Sequence, residues 1–135
     1  MKQRKLQGHT TAVTAVDWQM MSSGMNLLAT CADDRTVRLY DGHGFSLVSV
    51  LDSKDIHGWH TLTYLCLNPD TGQCLCSTQN GHLVLWNVPS GERVACWKVH
   101  CGSIEGLVWK RDLICTVSSD CIVNTFRVKN HSCSP

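Results

Sequence analysis

Adjacent carboxylates at Asp33 and Asp34, a His100–Cys101 pair, and nine cysteines among seven histidines are the residues of this 135-residue chain whose types could do chemistry. Two carboxylates serve general acid–base catalysis when they converge on one substrate atom, and a thiol beside an imidazole is a nucleophile when the ring can take its proton. Neither arrangement meets its own requirement. Carboxylates on neighbouring turn residues diverge, no second pair complements them, and a sequence-adjacent His–Cys pair rarely has hydrogen-bond geometry. His57, His60, Cys74, Cys76, Cys96, His100 and Cys101 are soft metal donors in quantity, but no C-x2-C pairs recur at zinc-module spacing. The glycines follow neither G-x-x-x-x-G-K-[ST] nor G-x-G-x-x-G, which leaves no phosphate cradle. The expectation is a non-enzyme with no catalytic, cofactor-binding or metal residues; a Cys/His-dependent metal-binding or redox-sensitive protein is the alternative.

Composition narrows the class further. An apolar content of 43% is enough to fill the core of one domain. Twelve basic and eleven acidic side chains nearly cancel, and beyond Lys2 to Lys5 no like-charge run could track a phosphate backbone or an anionic membrane. The amino terminus lacks an apolar stretch behind its charges, and no 18-residue apolar run occurs anywhere. An intracellular protein of cytoplasm or nucleus is expected, without nucleic-acid or membrane partners. Cys31, Cys66, Cys74, Cys76, Cys96, Cys115 and Cys121 lie in or beside apolar runs, where a reduced thiol packs as a small apolar group.

The elements that must position these residues are short strands. No window sustains helical periodicity, whereas runs at 13–18, 27–31, 36–41 and 47–51 alternate with turn residues. The pattern restarts at 62–67, 74–78, 82–88 and 93–98, and again at 104–109, 113–117 and 122–128, where a fourth run is missing. An all-β fold follows. Aromatic residues close each third strand at Tyr40, Trp86 and Phe126, with spacings of 46 and 40 residues, the length of a propeller blade.

With these marks the chain resembles the WD40-repeat family over residues 8 to 128. "GHTTAVTAVDW" opens the first repeat, and "VHCGSIEGLVW" opens the third with apolar residues at the same offsets from its histidine. The resemblance implies an incomplete WD40 β-propeller, all-β, with about three four-stranded blades, the last lacking its outer strand. Its repeats span approximately 8–53, 54–98 and 99–130 of a single partial domain. It also implies a structural latch of histidine, hydroxyl, aspartate and aromatic: His9, Thr30, Asp34 and Tyr40, and again His100, Thr116, Asp120 and Phe126, the last without a polar atom. The second repeat departs most, with Gly58 at the histidine place, Cys76 at the hydroxyl place and Asn80 at the aspartate place, keeping only Trp86.

In the family, loops before strand one and turns between strands two and three form a protein-binding face. By position that face is Thr11, Ala12, Asp33, Trp59, His60, Thr61, Gln79, Cys101, Ser103 and Ser119. Trp59 with His60 is its one aromatic loop site. The arginine by which some WD40 substrate receptors engage cullin-type ligases is replaced here by His43, Pro89 and Lys129. Propellers close with four to eight blades, so three blades imply a fragment or short form of a larger propeller, a homo-oligomer in which Lys2 to Leu6 supplies a strand to another copy, or completion by a partner's propeller.

Overall fold

The computed structural model describes residues 2–53, 61–129 and 132–134. Every regular element among them is a β-strand. Strands β1 (Val13–Met20), β2 (Asn26–Ala32), β3 (Thr36–Asp41) and β4 (Leu47–Asp52) pair in sequence order as a first antiparallel sheet. β5 (Leu62–Asn68), β6 (Gln73–Thr78), β7 (His82–Asn87) and β8 (Glu92–Lys98) form the second, and β9 (Ile104–Lys110), β10 (Leu113–Ser118), β11 (Val123–Lys129) and β12 (Ser132–Ser134) the third.

Strand alternation decides which way each sheet packs, because successive side chains point to opposite faces. Leu27, Ala29, Cys31, Val37 and Leu39 of the first sheet meet Cys74, Cys76, Val84 and Trp86 of the second in one buried cluster. The intervening positions of the second sheet, Leu75, Leu83 and Leu85, meet Ile104 and Ile114 of the third, with Phe126 and Trp109 packed beside them. The second sheet is therefore apolar on both faces, and all six residues of β6 are buried. The stack stays open. The first and third sheets each turn one face outward, where Val16, Trp18 and Val50 on one side and Val108, Leu113 and Val123 on the other are exposed.

The two outward faces differ. Residues 2–8 form no strand; Gly8 packs on the Arg38 side chain, and the Arg4 guanidinium lies 5.6 Å from the Phe45 ring centroid. On the same outward face Leu28 and Tyr40 are only 8% and 4% exposed. The third sheet differs from expectation in its outer position, which holds the three-residue stub β12 paired with Arg127–Lys129. The outer strands β4 and β8 have six and seven residues. Three residues are too few to carry a period-two hydropathy pattern, so such a stub leaves no sequence signal.

Each first strand carries one β-bulge at the same place. Pairing skips Thr14 between Val13 and Ala15, Thr63 between Leu62 and Tyr64, and Glu105 between Ile104 and Gly106. A bulged residue is released from its own ladder. The Thr14 hydroxyl is 2.6 Å from the Leu62 carbonyl of the next sheet, and the Thr63 hydroxyl 3.2 Å from that of Ile104. Asp17 adds a second bridge, accepting from the Leu67 backbone N–H at 2.8 Å.

Candidate functional site

The turns between second and third strands share one geometry. In each, the third turn residue donates its backbone N–H back across the turn: Arg35 to Ala32 (3.1 Å), Gly81 to Thr78 (3.3 Å) and Cys121 to Ser118 (3.1 Å). All three sit in the left-handed region, with φ of 64°, 88° and 71°. In the first and third sheets the middle residue is an aspartate that organises the turn. Asp34 Oδ1 accepts from the Thr36 hydroxyl at 2.6 Å and the Thr36 N–H at 3.0 Å, and Asp120 Oδ1 accepts from the Ile122 N–H at 3.0 Å.

A histidine reaches each aspartate from the loop before the first strand. His9 Nδ1 is 3.2 Å from Asp34 Oδ2 and its Nε2 is 2.7 Å from Thr30 Oγ1. His100 repeats this with Asp120 Oδ2 at 3.0 Å and Thr116 Oγ1 at 2.7 Å. A carboxylate only accepts, so Nδ1 is the donor in each pair and, in a neutral ring, Nε2 accepts from the threonine. The backbone N–H groups of Thr10 and Cys101 also donate to these carboxylates, at 3.1 and 3.0 Å. Partial burial alone would raise Asp34, but bonds from Thr36, the Thr10 N–H and His9 outweigh it and hold the carboxyl at about 2. Asp120 is likewise lowered: burial opposes ionisation, and donors from Cys101, His100 and Ile122 overcome it.

The aromatic members do not join these chains. Tyr40, expected beside Thr30, accepts instead from Arg38 Nε at 3.0 Å, because Arg38 lies two residues away on the same face of β3. Phe126 packs in the apolar cluster between the second and third sheets, and Trp86 in the one between the first and second. In the second sheet the Thr78 hydroxyl donates to Asn80 Oδ1 at 2.6 Å and accepts from the His82 N–H at 2.9 Å. Gly81 ties this turn to the loop that leads into the third sheet, its carbonyl accepting from the N–H groups of Val99 and His100 at 2.9 and 3.1 Å. Cys76 is fully buried.

Six of the ten candidate binding positions fall into three equivalent pairs. Asp33 donates its N–H to the Ala12 carbonyl (3.0 Å), Gln79 to Thr61 (2.9 Å) and Ser119 to Ser103 (3.0 Å). Asp33, Gln79 and Ser119 are exposed, as are Thr11, Ala12 and Cys101, while Thr61 and Ser103 are half-buried. Trp59 and His60, with His57, lie outside the described residues.

Among the described residues no three of His, Cys, Asp and Glu gather where they could hold a metal ion, and no helix is long and apolar enough to cross a membrane. Burial pushes the Cys66 thiol up to about 11, with Asp17 and Cys74 adding to it. Cys76 is raised well above its ordinary value by burial and by its Cys31 and Cys74 neighbours. A hydrogen bond with Cys76 is the main cause that lowers Cys31. Sequence reading did not single out Thr14, Asp17 and Thr63. Their signal is a polar residue inside a first strand, which has no meaning until the neighbouring sheet is known.

A profile of the family "WD domain, G-beta repeat" matches residues 1–41. Among curated proteins, human "WD repeat, SAM and U-box domain-containing protein 1" is 34% identical over 98 residues, covering 70% of this chain and 20% of that protein. The chain belongs to the WD40-repeat family. Arabidopsis thaliana "Autophagy-related protein 16" is 28% identical over 124 residues, covering 90% of this chain and 23% of that one. This WD40 chain thus spans about a fifth to a quarter of those relatives' length. Two computationally designed proteins share its fold at 18% identity. Ika4 has a TM-score of 0.80 and covers the whole chain, which spans 79% of it. Ika8 has a TM-score of 0.76 over 93% of this chain and 36% of its own. The three sheets are blades of an unclosed propeller.

Proposed function

We propose that the chain is a non-enzymatic protein-interaction scaffold of WD40 type, working as a short form or part of a larger propeller with repeats at 8–53, 54–98 and 99–130. The observation that carries this reading is the trio of backbone-tied pairs, which sets Asp33, Gln79 and Ser119 at one end of three successive blades with their side chains exposed. A rigid scaffold presenting exposed loop residues in register is suited to protein recognition. The histidine–aspartate bonds beneath them serve as latches that fix loop to turn. In this reading the partners are intracellular proteins, met in cytoplasm or nucleus, without nucleic acid or membrane. The open faces are completed by further blades, from the same longer protein, a partner or another copy.

The test is a triple Asp33→Arg, Gln79→Arg, Ser119→Arg variant compared with the unmodified chain in co-precipitation from cell extract. Proteins recovered with the unmodified chain should be lost with the variant while both melt at the same temperature. Equal recovery would remove the face from consideration.

A further inference from the structure

We propose that the outward face of the third blade docks a β-sheet that is not another copy of the first blade, and that this partner places a cationic or N–H donor group against Glu105. The inference rests on the propeller reading and adds the partner's chemistry. Inside the chain, one rule joins blade to blade: the bulged first-strand residue donates a hydroxyl to the first carbonyl of the next blade, Thr14 to Leu62 and Thr63 to Ile104. Apolar side chains, most of them on the first three strands of the facing blades, fill the remainder of each interface. The third blade continues both parts of this surface. Val108, Leu113, Val117 and Val123 stand outward at 51%, 42%, 39% and 65% exposure, and Glu105 is the bulged residue.

Glu105 breaks the rule. It is exposed, and no hydrogen-bond or ion-pair partner engages it among the described residues. An ionised carboxylate accepts and cannot donate. Were a second copy to dock its first blade in the same register, Glu105 would face the Val13 carbonyl, the counterpart of Leu62 and Ile104. Two acceptors would then be pressed together at the edge of an apolar contact, where an unpaired charge is costly. A partner with Lys, Arg or a free N–H at that point satisfies the carboxylate and still covers the valines and leucine.

Sedimentation equilibrium of the chain and its variants tests this. The unmodified chain should not self-associate through this face, whereas Glu105→Thr, which restores the donor, should tighten self-association at least tenfold. A Val13→Lys copy, which sets an ammonium opposite Glu105, should bind the unmodified chain and lose that binding at high salt. Val123→Asp should abolish both associations. Self-association of the unmodified chain as strong as that of Glu105→Thr, and lost on Val123→Asp, would overturn the proposal in favour of a second copy. Failure of both Glu105→Thr and Val13→Lys to associate would overturn the docking face itself. Neither result bears on the loop face of Asp33, Gln79 and Ser119, which is probed separately.

Discussion

The middle blade and the two end blades solve the same turn differently. In the first and third blades a non-glycine residue, Arg35 or Cys121, occupies the left-handed turn position, and a half-buried His–Asp pair with two further backbone donors holds that turn in place. In the middle blade the position is Gly81, which adopts the conformation without steric cost, and Asn80 stands where the aspartate would be. Side chains with a Cβ pay to sit there, and persist only when surrounding bonds over-determine the geometry. The latch is therefore what lets the end blades keep ordinary residues in a strained turn. The middle blade, apolar on both faces, does not need it.

Four outcomes would break or sharpen that contrast. Trp86→Ala should have the largest effect, about 3–5 kcal/mol in urea denaturation, because it empties the packing that substitutes for a latch in the middle blade. A loss under 1 kcal/mol would mean that packing does not carry that blade. His100→Ala should cost about 2–3 kcal/mol, since it removes a buried ring and strips the buried Thr116 hydroxyl of its partner. Adding Cys121→Gly should recover part of that loss if the latch offsets turn strain, and strictly additive effects would refute the coupling.

Gly81→Ala should cost about 1–2 kcal/mol, because φ of 88° disfavours any Cβ and this one would run into the His100 carbonyl. Arg35→Ala, at the matching site of a latched blade, should cost clearly less through its turn. The smallest effect is with acid. Asp34 is held at about 2 against an ordinary 3.8, a depressed value, so its contribution is complete above about pH 4 and is lost as pH falls toward 2. Normalised hydrogen exchange over that window should loosen the turns at Asp34 and Asp120 before the turn at Asn80, which has no proton to gain.

Strand positions were legible because alternation is a local property: β3 and the spacing of Tyr40, Trp86 and Phe126 follow from the order of residues alone. The His9–Asp34 and His100–Asp120 contacts were legible only through family likeness, since 25 and 20 residues separate the partners. Tyr40 departs from the expected chain because its hydroxyl accepts from Arg38, two residues away on the same strand face, a contact set by packing and not by the order of residues. The bulges at Thr14, Thr63 and Glu105 left no trace in hydropathy. Their meaning depends on a neighbouring sheet.

Those bulges also give the blade stack a polarity. Each blade offers a side-chain group on one side and a bare carbonyl on the other, so every junction is heterologous and like faces are not mates. A stack built this way cannot be capped by a two-fold partner placed face to face; it grows in one rotational sense until it meets its own beginning, and the number of blades is set by curvature rather than by any stop signal.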